Sequence, residues 1–375
     1  MSVFDAEKGS GASLRARLCE RIRLEGSITF HDWMQAALYD ESEGYYRRDR
    51  LVWGRAGDYR TSPERSPLFA ATFAGYFAQL YEELAQPAAL TIIEAGAGAG
   101  HFALGVLETF ASLYPKVFKA TRYLIDEVNS RRREHLRRLL SSFKDKIDFV
   151  SLPEIKEPFD AGIIFSNELL DALPVHRVVM REGKLFELCV ALNEADEFIW
   201  IEQETSDSRL KAYFTDERIQ LAEGQLAEIN LAAGEWLSLA ARSLKQGHVI
   251  TVDYGEEATR LFHPQHRREG SLRAFARHSF ADSLLTNPGE QDITTTIDWT
   301  HLKRTGESCG LKTLSLERQD QFLLRAGLLN HLERMTKAAR DEAEALMLSA
   351  GAREMILPGG MAESFQVLIQ QRSTS

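Results

Sequence analysis

The sequence has few of the features that mark secreted, zinc-stapled or membrane-spanning proteins. Its three cysteines are far apart, so neither a disulfide framework nor a CxxC zinc motif is present. No apolar run reaches the roughly eighteen residues that cross a bilayer, and the first residues lack the basic-then-apolar order of a secretory signal. The pair His263 and His266 has no other ligand at metal spacing. We expect a cytoplasmic protein with no membrane span and no metal.

Basic residues are fewer than acidic residues. Lysine and arginine number 45 against 55 aspartate and glutamate, a formal net charge of −10, whereas domains that bind nucleic acid are usually strongly basic. We therefore expect no nucleic-acid partner. The composition is otherwise ordinary for a globular protein, and 375 residues suffice for two domains or for one large α/β domain with insertions.

Short apolar runs alternate with helical patterns from residue 90 onward. Strands that alternate with helices predict right-handed crossovers and a mostly parallel sheet, hence an α/β fold. The helix after the first strand carries one apolar stripe with a helical period. The predicted strands cover residues 90–93, 123–125, 147–150, 159–165 and 247–252.

Other segments depart from this alternation. Helices are predicted over residues 12–25 and 67–84, and another follows a capping box at residues 29–32. Residues 175–204 are typical of a β-meander, whereas 256–297 show little regular pattern and are predicted as a long loop, which in a compact domain is usually functional. Residues 365–370 predict a last strand, placed at the sheet edge.

A glycine-rich turn directly follows the first strand. Residues 94–100 read Glu-Ala-Gly-Ala-Gly-Ala-Gly, and such glycines let a ligand approach the backbone and the N–H groups of the next helix. The spacing of Gly96, Gly98 and Gly100 differs from the GxGxxG of dinucleotide sites. Glu94 suits a positively charged ligand better than a pyrophosphate. The turn therefore favours S-adenosylmethionine over a nicotinamide cofactor.

Two further acids are candidates for contact with this cofactor. The second strand ends at Asp126 and Glu127, where a carboxylate can accept hydrogen bonds from both ribose hydroxyls, and Glu127 is the residue we assign. NAD enzymes use an acid at the same place, so it does not separate the two cofactors. Asp58, in an N-terminal loop, is a candidate to close over the cofactor, although it also fits a simple turn.

Blocks along nearly the whole chain, about residues 25–370, resemble the MidA family of methyltransferases, which includes a mitochondrial arginine methyltransferase of complex I assembly. The most specific are Asn-Glu-x-x-Asp-Ala-x-Pro at 167–174 and Pro-Gly-Glu-Gln-Asp at 288–292. The family turn usually reads Gly-Pro-Gly-Arg-Gly, and here Ala97 and Ala99 replace its proline and arginine. The resemblance implies a Rossmann-like methyltransferase sheet of seven mostly parallel strands, with a helical N-terminal extension and an inserted cap.

The resemblance also implies a domain division and a partner. Residues 1–86 would form the helical extension with a cofactor-covering loop, and 87–375 the methyltransferase domain, with insertions at about 175–204 and 256–297. The substrate would be an arginine of a partner protein, such as a respiratory-complex subunit or another bacterial protein, and a homodimer is the assembly we consider.

For an arginine acceptor, carboxylates are the natural partners of the guanidinium group. Glu168 and Asp171 follow the fourth strand at the ligand-binding edge of the sheet, and Asp292 lies in the second specific block; these three are the catalytic candidates. Asn167 is assigned to the cofactor. The 167–171 block also fits a helix start rich in acids. Two alternative functions stay open, a non-catalytic assembly factor with this fold and a nicotinamide-dependent oxidoreductase.

Overall fold

The computed structural model describes residues 12–48, 66–205, 207–217, 219–276, 279–280, 283–357 and 364–373. Strands and helices are numbered in chain order. The strands are β1 Ile28–Thr29, β2 Leu90–Ala95, β3 Thr121–Asp126, β4 Ile147–Val150, β5 Gly162–Asn167, β6 His176–Arg181, β7 Lys184–Leu192, β8 Phe198–Glu204, β9 Leu226–Ile229, β10 Gly247–Glu256, β11 Arg273–Ala276, β12 Ser279–Phe280, β13 Asp292–Thr294, β14 Ile297–Asp298, β15 Lys312–Arg318 and β16 Phe365–Arg372.

The α-helices vary from one turn to almost five. They are α1 Leu14–Glu25, α2 Phe30–Tyr39, α3 Pro67–Glu83, α4 His101–Leu113, α5 Pro115–Ala120, α6 Ser130–Leu139, α7 Ser208–Glu217, α8 Leu231–Arg242, α9 Ala258–Leu261, α10 Trp299–Ser308, α11 Gln319–Arg325, α12 Leu328–Lys337 and α13 Glu342–Ile356. Among the described residues, no helix has the length and apolar character needed to cross a membrane.

A mostly parallel sheet occupies the centre of the molecule, in the order β4-β3-β2-β5-β10-β16-β15. The five strands from β4 to β10 run parallel, β16 is antiparallel to both of its neighbours, and the short β14 extends beside the end of β10. The predicted Rossmann-like α/β sheet is thus confirmed. Placing the last strand at the edge was wrong, because β15, which the sequence analysis did not predict, takes that position.

Helices cover both faces of this sheet, which explains its apolar strands. All six residues of β2 are buried, as expected for a strand with helices on both sides. Phe73 of α3 and Val106 of α4 pack on one face. Leu237 of α8 and Leu302 of α10 pack on the other.

A second sheet contains the predicted β-meander, which is confirmed as β6, β7 and β8. The sheet also includes β9 and the short β1 from the N-terminal segment, where Ile28 pairs with Val190. The predicted N-terminal cap of α2 is present, since the Thr29 side chain accepts the Asp32 N–H at 3.1 Å. Trp33 of α2 is buried with Val190 in one cluster. The N-terminal helices therefore pack on the meander.

The segment 256–297 is more regular than predicted. It contains α9 and a three-stranded antiparallel sheet in the order β12-β11-β13, in which Arg273 pairs with Thr294 and Phe275 with Asp292. The prediction of a patternless loop was therefore wrong in part. Strands of two to four residues are too short for an alternating pattern, and β11 and β13 pair across a gap of about twenty residues.

Candidate active site

The glycine turn between β2 and α4 lies at the carboxyl edge of the central sheet. All three glycines have positive φ, +72° at Gly96, +53° at Gly98 and +84° at Gly100, a region that residues with a side chain rarely adopt. A Cβ at Gly96 would lie 3.0 Å from Leu169, and one at Gly100 would collide with Leu136. Backbone conformation and close packing both require glycine in this turn.

A cavity of about 240 Å³ opens above this turn. It brings together seven of the ten predicted site residues, Glu94, Gly96, Gly98, Gly100, Glu127, Asn167 and Glu168. The rest of its wall is formed by Tyr39, Tyr46, Ala95, Ala97, Ala99, His101, Phe102, Asp126, Val128, Arg132, Leu169, Ala172, Leu173 and Trp236. The charged part of this wall is dominated by carboxylates, which favours a ligand that carries positive charge.

Glu94 is a buried acid of this wall. Only 4% of the residue is exposed, and its Oε2 accepts a hydrogen bond from the Tyr123 hydroxyl at 2.7 Å. Burial raises the pKa of Glu94 to about 8, although the bond from Tyr123 works in the opposite direction. The carboxyl is therefore protonated at neutral pH until a cationic group approaches.

Asp126, the last residue of β3, and Glu127, which follows it, both line the cavity. Glu127 Oε1 accepts the Asn129 N–H at 2.8 Å, and Arg132 lies 3.5 Å from the other oxygen. Asp126 accepts the Leu152 N–H at 3.3 Å, and burial raises its pKa to about 6. Either acid is placed to meet ribose hydroxyls. Arg132 belongs to the strongly basic helix α6, and its contact with Glu127 shows that its side chain faces the site.

The end of β5 brings Asn167 and Glu168 to the same cavity. Glu168 has a φ of +51°, and its N–H donates to the Val252 carbonyl of β10 at 3.0 Å. Asn167 Nδ2 donates to Glu168 Oε1 at 3.1 Å, while the buried Asn167 Oδ1 has no hydrogen-bond partner among the described residues. Residues 168–174 form turns and bends, so this block does not start a helix.

Two of the catalytic candidates lie outside the cavity wall. Asp171 is buried and accepts a hydrogen bond from Tyr254, and burial raises the pKa of its carboxyl. Asp292 is also buried, and its Oδ1 accepts the Tyr46 hydroxyl at 2.6 Å. Because Tyr46 lines the cavity, Asp292 touches the site through that ring. Asp58 lies outside the described residues.

Two tyrosines that the sequence analysis did not single out close the cavity from the N-terminal segment. The Tyr39 hydroxyl donates to the Ala172 carbonyl at 3.1 Å, and the Tyr46 carbonyl accepts from Asn129 at 3.1 Å and Arg132 at 2.9 Å. Nothing in the sequence spacing of these two tyrosines indicates a contact with the cofactor site.

The acid-lined cavity over a positive-φ glycine turn, at the carboxyl edge of a parallel sheet, defines an α/β enzyme that binds a nucleoside cofactor. Comparison with known proteins gives the family. Residues 72–316, more than half of the chain, match the family described as "Putative S-adenosyl-L-methionine-dependent methyltransferase". The chain belongs to this family, and its cofactor is S-adenosylmethionine.

Individual relatives resemble the chain over most of its length. A protein from Burkholderia thailandensis, crystallised with S-adenosyl-homocysteine bound, is 27% identical with a TM-score of 0.86, over 96% of this chain and 92% of that one. The Drosophila melanogaster protein arginine methyltransferase NDUFAF7 homolog, mitochondrial, is 24% identical over 97% of this chain and 85% of its own. The human protein arginine methyltransferase NDUFAF7, mitochondrial, is 23% identical over 93% and 81%.

The residues of the cavity fit this cofactor. The glycine turn lines the cavity with backbone, so the ligand can lie against that backbone without meeting side chains of the three glycines. The buried Asn167 Oδ1 needs a donor, and an ammonium group supplies one. Glu94 offers the countercharge, while Asp126 and Glu127 offer acceptors for hydroxyl groups. The cofactor supplies an electrophilic methyl group, and the chain has to orient the acceptor and exclude water.

Proposed function

We propose that this protein methylates an arginine side chain of a partner protein. The observation that carries the proposal is Glu168, a carboxylate that lines the cofactor cavity in a strained backbone conformation. A carboxylate binds a guanidinium group through charge-assisted hydrogen bonds. The relatives from fly and human, both named protein arginine methyltransferases, support the same acceptor.

Arginine is a demanding acceptor because its guanidinium group keeps its proton in proteins. Methylation would form a bond between one guanidinium nitrogen and the methyl carbon, break the bond between that carbon and the sulfur of the cofactor, and release one proton from the nitrogen to solvent, with S-adenosylhomocysteine as the leaving group. Glu168 is placed to hold the cation and to keep its charge on the nitrogens that do not react. Asn167 holds the Glu168 carboxylate by its 3.1 Å hydrogen bond, so the carboxylate is oriented before the acceptor arrives.

The proposal is tested by the chemistry of the product. The purified protein is incubated with radiolabelled S-adenosylmethionine and cell extract, and the labelled proteins are hydrolysed for amino-acid analysis. We expect label in methylarginine. In Glu168→Gln, label should fall roughly 100-fold, as on loss of a preorganised electrostatic partner, while S-adenosylhomocysteine still binds.

A matched control is available at Glu182, which has a φ of +50° but lies in the β6–β7 turn outside the cavity wall. Glu182→Gln should keep full activity. Label in methyllysine or in a small molecule would overturn the arginine acceptor. Cofactor binding without any transfer would favour the non-catalytic assembly factor.

The nature of the partner is also part of the proposal. A respiratory-complex subunit or another bacterial protein is the partner we test first, by identifying the labelled protein with mass spectrometry. The names of the fly and human relatives place those proteins in mitochondria. A cytoplasmic location and a homodimer stay predictions for this chain.

A further inference from the structure

Trp236 contributes an unpaired donor to the cofactor cavity. Its ring lines the wall, and its indole Nε1 is buried without a hydrogen-bond partner among the described residues. A buried donor that stays unsatisfied is unfavourable, because it has lost its hydrogen bonds to water and gained none in return. Such a group in the wall of a binding site is therefore expected to pair when the site is filled.

The helix that carries Trp236 is fixed against the cofactor edge. The Asn230 side chain caps α8 by accepting the Ala233 N–H at 2.9 Å, and its Nδ2 donates to the Leu170 carbonyl at 2.9 Å. Leu237, the next residue after Trp236, is buried on the central sheet. These contacts tie the start of α8 to the segment after β5, so the indole faces the cavity before the ligand binds.

Unpaired indole nitrogens occur elsewhere in the molecule, and the comparison is informative. Trp33 and Trp299 also have a buried Nε1 without a partner among the described residues, and both are fully buried. Neither belongs to the cavity wall. Trp236 differs because the space that it faces is open to a ligand.

The wall around Trp236 indicates which part of the cofactor it meets. Leu169 and Leu173 line the same cavity, and Leu169 also packs over Gly96. Apolar and aromatic side chains suit a flat, uncharged base, whereas the ammonium and ribose groups are better matched by the carboxylates Glu94 and Glu127. Among the parts of the cofactor, adenine combines an apolar face with ring nitrogens that accept hydrogen bonds.

We infer that Trp236 binds the adenine of the cofactor and donates its indole N–H to one of the ring nitrogens. Leu169 and Leu173 complete this part of the wall. Trp236 is then a cofactor-binding residue that recognises one hydrogen-bond-accepting ring nitrogen at the edge of the adenine. The inference concerns only the cofactor, so it holds or fails independently of the arginine acceptor proposed above.

The test uses S-adenosylhomocysteine and its 1-deaza, 3-deaza and 7-deaza analogues, each of which lacks one ring nitrogen. Calorimetric titration compares the wild type with Trp236→Phe, and Trp299→Phe serves as the control for losing an unpaired buried indole. We expect Trp236→Phe to bind S-adenosylhomocysteine about five- to tenfold more weakly, as for one lost hydrogen bond. Trp299→Phe should bind like the wild type.

The analogues locate the bond. One deaza analogue should bind the wild type more weakly than S-adenosylhomocysteine yet bind Trp236→Phe as well as the parent compound does. Ligand-induced change in tryptophan fluorescence should persist in Trp299→Phe and shrink in Trp236→Phe. Unchanged affinity in Trp236→Phe overturns the inference, and so does equal sensitivity of both proteins to every analogue. If Trp236→Phe fails to fold, equal affinity of the wild type for all four compounds overturns it.

Discussion

At the scale of single residues, Glu94 links cofactor binding to pH. Its carboxyl is buried, and its pKa is raised to about 8 by that burial. A cationic ligand stabilises the carboxylate, so binding lowers this pKa and releases a proton. Below pH 8 part of the binding free energy is spent on deprotonation, and this cost disappears as the pH approaches the raised pKa.

We therefore predict that the affinity for S-adenosylhomocysteine rises between pH 6 and pH 8, by at most about tenfold per pH unit. Titrations in two buffers with different ionisation enthalpies should detect the released proton. Glu94→Gln should bind more weakly, with little pH dependence. Tyr123→Phe removes a hydrogen bond that lowers the Glu94 pKa. In this variant the rise in affinity for S-adenosylhomocysteine should therefore occur over a higher pH range than in the wild type. A wild-type affinity that is flat over this range would exclude proton release from Glu94.

At the scale of elements, the glycine turn illustrates what a sequence pattern can predict. The turn, the strand before it and the helix after it were predicted because glycine spacing and apolar period are local properties. The packing contacts between the turn and the rest of the site involve residues that are distant in the sequence. Gly100 packs against Leu136 and Leu139 of α6, a helix whose sequence suggests only a charged, solvated surface.

This packing yields a prediction with a matched control. Gly100 and Gly26 share a φ of +84°, but a Cβ at Gly26 would meet no atom within 4 Å. Gly26→Ala should cost about 1–2 kcal/mol for the left-handed conformation alone. Gly100→Ala should cost a further 1–3 kcal/mol or so through overpacking against α6, and it should weaken S-adenosylhomocysteine binding. Urea unfolding measures both costs, and equal values for the two variants would contradict the packing argument.

The sequence did not predict those strands, or positions of strands in the sheet, that depend on pairing with residues distant in the chain. β15 and β16 form the antiparallel end of the central sheet, and the position of β16 inside the sheet follows only from the presence of β15. The short strands β11 and β13 exist because residues about twenty positions apart pair with each other. The site shows the same division, since Glu94 and Glu168 stand in recognisable motifs whereas Trp236 reaches the cavity only through the packing of α8.

At the scale of the whole molecule, the N-terminal segment and the central sheet share one binding site. Asn129, a buried residue after β3, makes the connection. Its Oδ1 caps α6 by accepting the N–H groups of Arg131 and Arg132 at 3.0 and 3.2 Å. Its Nδ2 donates to the carbonyls of Tyr46 and Arg47, both at 3.1 Å. The Asn129 side chain therefore contacts both α6, a helix that follows a strand of the central sheet, and Tyr46, which forms part of the cavity wall.

Substitutions at Asn129 can separate these two tasks. Serine keeps an oxygen that caps a helix but has no amide to reach Tyr46 and Arg47, whereas alanine loses both contacts. Asn129→Ser should therefore open the N-terminal segment selectively. Two lost hydrogen bonds correspond to about 1–2 kcal/mol of local stability, so the amides of Tyr46 and Arg48 should exchange their hydrogens roughly 5- to 30-fold faster. The amides of α6 should keep their protection in Asn129→Ser and lose it in Asn129→Ala.

Both variants should bind S-adenosylhomocysteine more weakly, because Tyr46 forms part of the cavity wall. Addition of the ligand should restore protection at Tyr46 in Asn129→Ser, since a ligand that binds only the closed form stabilises that form by mass action. Protection that falls equally in α6 and in the N-terminal segment of Asn129→Ser would show that the two cannot open separately. In that case the cover over the cofactor would be a fixed part of the methyltransferase fold, and cofactor exchange would require a path other than movement of the segment that carries Tyr46.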